Sequence, residues 1–372
     1  MSKRIIISTT NDIATDNRVN KVALLLLSLG YQVHWIGRLL PGSSDLNLPY
    51  ETSRMRLFFK SGGLFYAEFQ IRLFFKLLTN RPGMLVSNDL DTLLPNFLIA
   101  RLLRIPLVYD SHEYFCGVPE IQGRWVKKIW LGLERYIFPR LEHVWTVNES
   151  IAQLYESDYA KRPRVFRNIS PVPSVEKVSR TSLGLSEKGF IAINQGSGMN
   201  VDRGLEEALE AISEMPDWSL LLVGSGDAIP ALKLKAKEKG WSDKVIFVDR
   251  VPYATLLQYT RCADVGLSLD KDTNINYRFS LPNKIFDYLH SDLPVVTSQV
   301  VEVAKIVEEF GIGLTVNPED IDALRNAIAT VGASKKSYRV ALEKAQDSLT
   351  WEKEQVPLRA FYAQFLLGDG TA

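Results

Sequence analysis

Cysteine is nearly absent from this chain. The 372 residues contain two, Cys116 and Cys262, with no C-x-x-C spacing. A disulfide framework is thereby excluded, and a reducing compartment is expected. No apolar stretch approaches the roughly 20 residues of a membrane-spanning helix. The opening "MSKRIIISTTND" holds only three consecutive isoleucines, too short for a signal peptide, so a cytoplasmic location is expected. Charge of one sign is missing too: 44 Lys+Arg against 43 Asp+Glu gives +1, which argues against a nucleic-acid partner. The four histidines are scattered with no H-E-x-x-H spacing. Neither G-x-x-x-x-G-K-[ST] nor G-x-S-x-G occurs. The turn after the first apolar run, "STTNDIATDNR", has no glycine, so the dinucleotide fingerprint is absent there. "LLVGSGDAIP" has Ile229 where a third glycine would stand and reads as a plain strand–helix turn.

What is present is regular. Strand-like runs such as "RIIIST", "YQVHWIG", "GMLVSND" and "IPLVYDS" alternate with helical patterns such as "NRVNKVALLLLSLG" and "TLLPNFLIARLLR". The alternation predicts βαβ units and parallel sheets. It lapses over 169–188, "ISPVPSVEKVSRTSLGLSEK", which reads as a linker, and then restarts with "GFIAINQG". The prediction is an α/β protein of two doubly wound domains, 1–168 and 189–350, facing each other across a cleft.

Two strand–helix junctions in the second half suit an anion. "INQGSGMNVDRGLEEALEAI" places Gly196 and Gly198 in a turn and Arg203 at a helix start. Glycines let backbone N–H groups approach an anion, and arginine adds planar charge. "YRFSLPNKIFDYLHSDLPVV" gathers Ser280, Leu281, Pro282, Asn283 and Lys284 at the next such junction, with Asp287 a turn further in. Arg203 and Lys284 could flank one diphosphate while Asp287 accepts from ribose hydroxyls. The plainer alternative is a capped helix with Asp287 in solvent. "NDLD" sets Asp89 and Asp91 in D-x-D spacing, a pattern some sugar-transferring enzymes use on a divalent cation. Here it opens a helix and reads as a cap or a polar group of the cleft ahead of a metal ligand.

These segments resemble the retaining glycosyltransferases of the GT-B fold, which take sugars from nucleoside diphosphates. "TTNDIATDNRVNKVALLLLSLGYQV" is similar to the family's acceptor-side loop and helix. "VSNDLDTLLPNFLIARLLRIPLVYDSHEYF" is similar to the segment ending in its cleft histidine, here His112. "NQGSGMNVDRGLEEALEAI" and "SLPNKIFDYLHSDLPVV" are similar to its phosphate loop and donor signature, and "TWEKEQ" to its final crossover. The resemblance implies two Rossmann-like domains, with 351–372 crossing back to the first. It implies a nucleoside-diphosphate-sugar donor, a saccharide or lipid-linked acceptor in bacterial surface polysaccharide or glycolipid synthesis, retention by front-face transfer, and no metal or other cofactor. It places Arg203, Lys284 and His112 in catalysis. The donor site takes Gly196, Gly198, Ser280–Asn283, Asp287, Arg250 and Val251. The acceptor side takes Asn11, Asp12, Asp16, Arg18 and Glu113. Phe279 stands where the family often has a first glutamate, eight before Asp287, and Ser197 follows Gly196 where many members have arginine. An epimerase of the same fold and an inactive nucleotide-sugar-binding protein stay open as alternatives. His112 could also be a structural histidine beside Glu113.

One segment remains. Residues 54–78, "RMRLFFKSGGLFYAEFQIRLFFKLL", mix five basic residues with seven aromatics. Such a stretch suits an anionic membrane surface. A doubly wound domain would also bury part of it in its core, with Gly62-Gly63 dividing a strand-like from a helical part.

Overall fold

The computed structural model describes residues 3–118, 121–171, 173 and 175–367. It divides into two compact units, Met1–Asn168 with Glu354–Ala372, and Ile169–Lys353.

The first unit holds strands β1 (Arg4–Asp12), β2 (Gln32–Arg38), β3 (Glu51–Met55), β4 (Met84–Asn88), β5 (Leu107–Ser111), β6 (His143–Thr146) and β7 (Arg164–Val165). All pair in parallel, in the order β3-β2-β1-β4-β5-β6-β7. Its helices are α1 (Asn17–Ser28), α2 (Gly62–Thr79), α3 (Leu90–Leu103), α4 (Val126–Ile137) and α5 (Glu149–Tyr159). Ile5, Ile6 and Ile7 are all fully buried, as expected of a central strand covered on both faces. β1 runs three residues past "RIIIST": after a register shift, Asp12 pairs with Arg38.

The second unit repeats the plan. Strands β8 (Phe190–Gly196), β9 (Trp218–Gly224), β10 (Val245–Val248), β11 (Val265–Ser268), β12 (Val295–Ser298) and β13 (Gly313–Val316) stand in the order β10-β9-β8-β11-β12-β13, again parallel. Between and after them lie α6 (Leu205–Ser213), α7 (Ile229–Glu238), α8 (Tyr253–Cys262), α9 (Ile275–Arg278), α10 (Lys284–Leu289), α11 (Val301–Phe310), α12 (Ile321–Ala333) and α13 (Arg339–Ser348). The last helix, α14 (Trp351–Leu367), continues through Pro357 and packs in the first unit. There the Glu354 carboxylate accepts from the Arg167 N–H at 2.6 Å, and Tyr31 Oη donates to the Tyr362 carbonyl at 2.9 Å.

In each sheet two neighbours diverge in connection, β1 from β4 and β8 from β11. Connections leave such a pair toward opposite sides, which opens a crevice at the carboxyl ends of the strands. Both candidate constellations lie at such points.

The basic-aromatic stretch 54–78 is divided between core and surface. Phe65, Phe69, Leu73 and Leu77, four apart, form the inner stripe of α2 and are buried. Phe58, Leu64, Ile71 and Phe75 stay exposed, Phe58 at 83%. Arg72 pairs with Glu68 at 2.8 Å and lies 5.0 Å from the Phe58 ring centroid. Core packing therefore accounts for one face of α2 and leaves the other apolar and uncovered. Among the described residues no helix is long and apolar enough to cross a membrane.

Candidate active site

At the end of β11 the chain leaves the sheet through Asp270, which is fully withdrawn from solvent. Its Oδ2 accepts from Arg203 Nη1 at 2.5 Å and from Ser280 Oγ at 3.0 Å. The Arg203 guanidinium also lies 3.9 Å from the Tyr277 ring centroid. Lys284 donates to Asn194 Oδ1 on β8 at 3.2 Å. Burial pushes the Lys284 ammonium down to about 8, with nearby Arg203 adding to the push and Asp270 opposing it. Two buried donors here have no partner among the described residues, Asn194 Nδ2 and Arg203 Nε. Buried donors are normally satisfied, so two beside two cationic side chains mark a place built for an acceptor-rich ligand.

Asp287 lies on the inner side of the same junction. It is buried and not in solvent. Gln195 Nε2 donates to one oxygen at 3.0 Å and Tyr253 Oη to the other at 2.7 Å. Each carboxylate oxygen can accept a second bond. The backbone at this junction contributes less than a long helix would. α10 has six residues, and the N–H groups of Ile285, Phe286 and Asp287 already close its first turn at 3.1, 3.0 and 3.1 Å. The Lys284 side chain is therefore its main positive group.

The glycine turn is shaped by its neighbour. Gly196 and Gly224 end adjacent strands in register, with φ of +131° and +135°. A Cβ on Gly224 would lie 1.9 Å from the Gly196 carbonyl oxygen, and one on Gly226 2.0 Å from that of Met199. The second G-x-G thus supports the first turn. A Cβ on Gly198 would meet nothing within 4 Å. Arg250 is exposed past the end of β10, and Val251 packs half-buried on the core.

In the first unit the corresponding strand ends bring acids together. Asp89, at φ +60° before α3, does not cap the helix with its side chain. The expectation of a cap is corrected: its Oδ1 accepts the His112 N–H at 2.8 Å and its Oδ2 faces His112 Nδ1 at 3.3 Å. His112 Nε2 faces Asn88 Oδ1 at 3.2 Å and Asp110 Oδ2 at 3.6 Å. Burial works against charge on the imidazole, yet Asp89 and Asp110 raise its pKa on balance. Both ring nitrogens face acceptors, which suits the imidazolium. Arg18 Nη2 holds Asp110 Oδ1 at 2.6 Å, both side chains being buried. Burial alone would raise the Asp110 carboxyl, but Arg18 and His112 hold it well below the usual range. Asp91 differs. Thr10 donates to its Oδ2 at 2.5 Å while its Oδ1 has no partner. Burial, then the nearby Asp89 charge, pushes it up to about 7. Such a group can hold or release a proton near neutrality.

The remaining acceptor-side residues scatter. Asp16 caps α1 by accepting the Val19 N–H at 3.1 Å and also accepts from Asn11 Nδ2 at 3.1 Å. Asp12 is buried and accepts from the Ala14 N–H at 3.1 Å and from Ser43 Oγ. Glu113 is exposed, and His112 is held by Asn88, Asp89 and Asp110. Asp270, Asn194, Gln195, Tyr253 and Tyr277 were not expected in the second unit, nor Thr10 and Asp110 in the first. A carboxylate two residues past an apolar strand, as in "DVGLSLD", is the one local signal that pointed to Asp270.

Residues 196–333, which contain the whole Arg203–Asp270–Lys284 cluster, match the family described as Glycosyl transferases group 1. No curated protein matches the chain. Among solved structures, 98% of the chain is similar to sucrose-phosphate synthase from Thermosynechococcus elongatus, at 19% identity, a TM-score of 0.79 and 100% of that chain. The same share is similar to HepE of Anabaena in complex with UDP, at 15% identity, 0.71 and 99% of that chain. It is also similar to WaaG, a glycosyltransferase involved in lipopolysaccharide biosynthesis, at 14% identity, 0.73 and 100% of that chain. At these identities the likeness is one of fold. The second unit thus carries a group 1 glycosyl transferase match, and the chain has the GT-B fold along its length.

Proposed function

We propose that the protein transfers a sugar from a nucleoside diphosphate to a saccharide or lipid-linked acceptor, with retention, in bacterial surface polysaccharide or glycolipid synthesis. The observation that carries the donor half is the meeting of Arg203, Lys284 and the unpartnered Asn194 Nδ2 and Arg203 Nε at the β8/β11 divergence. A diphosphate there gains charge as the glycosidic bond breaks, and preorganised donors aimed at that charge are usually the largest catalytic contribution. HepE, which shares the fold, is described in complex with UDP and with UDP-glucose, which supports a nucleotide-sugar donor.

In this reading Arg203 and Lys284 hold the leaving diphosphate, with the Gly198 and Asn283 backbone beside them. Gly196 and Ser280–Pro282 shape the donor site, Arg250 and Val251 line its rim, and Asp287 accepts from the ribose. Asn11, Asp12, Asp16, Arg18 and Glu113 belong to the acceptor side. His112, held between Asp89 and Asp110, touches the donor sugar or orients the acceptor. The diphosphate oxygen takes the acceptor proton, and no metal takes part. The exposed face of 54–78 rests on anionic lipid, where lipid-linked acceptors are found.

The deciding experiment incubates the protein with a panel of nucleotide sugars and lipid-linked or free saccharides in EDTA, with products read by mass spectrometry. Acceptor-dependent product without metal is expected. Donor isomerisation without acceptor would instead indicate an epimerase, and nucleotide binding without any product an inactive binder. Loss of all activity in EDTA, restored by Mn²⁺, would remove the metal-free assignment. Sedimentation with anionic but not neutral liposomes, lost when Arg54, Arg56, Lys60, Arg72 and Lys76 are changed to Gln, checks the membrane surface.

A further inference from the structure

At the other end of the first sheet from His112, the amino ends of β5 and β6 border a cavity of about 520 Å³. That is the size of a site for a small organic molecule, larger than a bare ion needs. Three arginines from two separate segments line it: Arg101 in the last turn of α3, Arg104 just beyond it, and Arg140 from the short turn Phe138–Arg140. None of the three forms an ion pair among the described residues. Arg101 lies 5.3 Å from the Phe97 ring centroid and Arg140 4.1 Å from that of Tyr136, where it also donates to the Tyr136 carbonyl. The one carboxylate in the lining, Glu142, has its side chain 88% exposed, with its Oε2 3.9 Å from His143 Nε2.

The dipole of α3 favours basic residues at its C-terminus. It explains Arg101 and Arg104 but not the arrival of Arg140 from a different segment at the same cavity. Arg104 also holds φ at +55°, a left-handed conformation uncommon for side chains other than Gly, Asn and Asp. The other walls are uncharged. Phe97 and Phe365 are apolar, and burial lowers the pKa of His143, which favours the neutral ring at pH 7.

We propose that this cavity binds an organic phosphate, its phosphate group on Arg101, Arg104 and Arg140 and its carbon body against Phe97, His143 and Phe365. Guanidinium groups bind phosphate through charge-assisted, often bidentate, hydrogen bonds, and among the described residues no carboxylate pairs with any of the three. β5 leads from Leu107 at the cavity to Ser111 beside His112, about 13 Å at the usual rise per residue, so the site is separate from the constellation around His112. Two sources offer this chemistry: a soluble phosphomonoester, or the headgroup of an anionic phospholipid reached past Leu102, which is 63% exposed.

Hydrogen exchange read by mass spectrometry tests the site locally, apart from any anion bound near Arg203. Phenyl phosphate is the soluble probe; vesicles of phosphatidic acid in phosphatidylcholine, against phosphatidylcholine alone, are the membrane probe. Slower exchange at 101–107 and 138–143 with either probe is expected. Response to phenyl phosphate identifies a soluble ligand, and response to phosphatidic acid alone a lipid headgroup. Arg101→Gln with Arg140→Gln should weaken the response at least about tenfold, since a hydrogen bond to a charged group is worth roughly 1.5–3 kcal/mol. Arg104→Asn, which tolerates the left-handed backbone, should weaken it without affecting folding and decides the matter if the double variant is unstable. No protection by either probe, or equal protection in wild type and Arg104→Asn, would overturn the proposal.

Discussion

Past β4 the chain crowds Asp89, Asp91 and Asp110 around one imidazole and one guanidinium; past β11 it crowds Arg203 and Lys284 around Asp270. The two places are topologically equivalent, since each lies where its sheet's connections diverge. The sign of the crowding differs, and the pKa values follow it. Burial and a neighbouring acid push Asp91 up to about 7, whereas burial and a neighbouring arginine push Lys284 down to about 8. Each place holds charge that folding alone does not favour. Crowded cations are relieved by an anion, and crowded acids by protons or hydroxyl donors. In the proposed function, one fold used twice supplies a diphosphate site and a hydroxyl-facing site.

Removing the central cation of the acidic place should have the largest effect. Arg18→Met leaves Asp110 buried without its partner, which typically costs 3–5 kcal/mol. Denaturant unfolding should show a loss of about that size, and near wild-type stability would mean that the pair is dispensable. Next, Arg203→Ala and Lys284→Ala should each lower kcat/KM by about 10²–10³, as the loss of one transition-state donor does. The Lys284 ammonium is lost as pH rises through about 8. Wild-type kcat/KM should therefore turn down above that pH, and Lys284→Ala should lack this limb; an unchanged limb would assign it to another group.

The third effect reverses sign and acts on stability. The Asp91 carboxyl moves from an ordinary 3.8 to about 7 in the fold. Its stabilising share is complete below the unfolded pKa and is lost as pH rises through the folded one. Asp91→Asn mimics the protonated form. Its stability relative to wild type should grow by about 1–3 kcal/mol between pH 5 and pH 8.5, with lower activity as the expected trade. Equal stability at both pH values would mean that Asp91 titrates as an ordinary surface acid. The smallest effect is a coupling. Asp287→Asn should raise KM for a full nucleotide-sugar donor more than for its 2′,3′-dideoxy analogue. Equal increases would confine Asp287 to its bonds with Gln195 and Tyr253.

Most strands and helices were legible because their apolar periodicity is local; β3, "ETSRM", has no such pattern, and the strand-like part expected ahead of Gly62-Gly63 ends at Met55. α4 escaped notice because its inner face carries Glu134, fully buried between Trp130 and Ile137, which interrupts the apolar stripe. α13 buries only Leu342 and Ala345, too little to give a pattern. At the site, Arg203 and Lys284 were legible from their junctions. Asn194 and Tyr253 were not, and Asp270 had only its place two residues past a strand, since side chains from β8, α8 and the end of β11 meet through strand order and packing. The titration of Asp91 was hidden for a related reason: D-x-D spacing is visible in a sequence, but desolvation is not.

The paired glycine turns have a consequence for redesign. The turn bearing Gly196 leans on a second turn, where Gly224 and Gly226 leave no room for a Cβ. On that side its shape is inherited and cannot be adjusted by choice of side chain. At Gly198 the same turn opens onto empty space. A laboratory search for altered donor preference should therefore vary Ser197 and Gly198 and keep the neighbouring turn fixed.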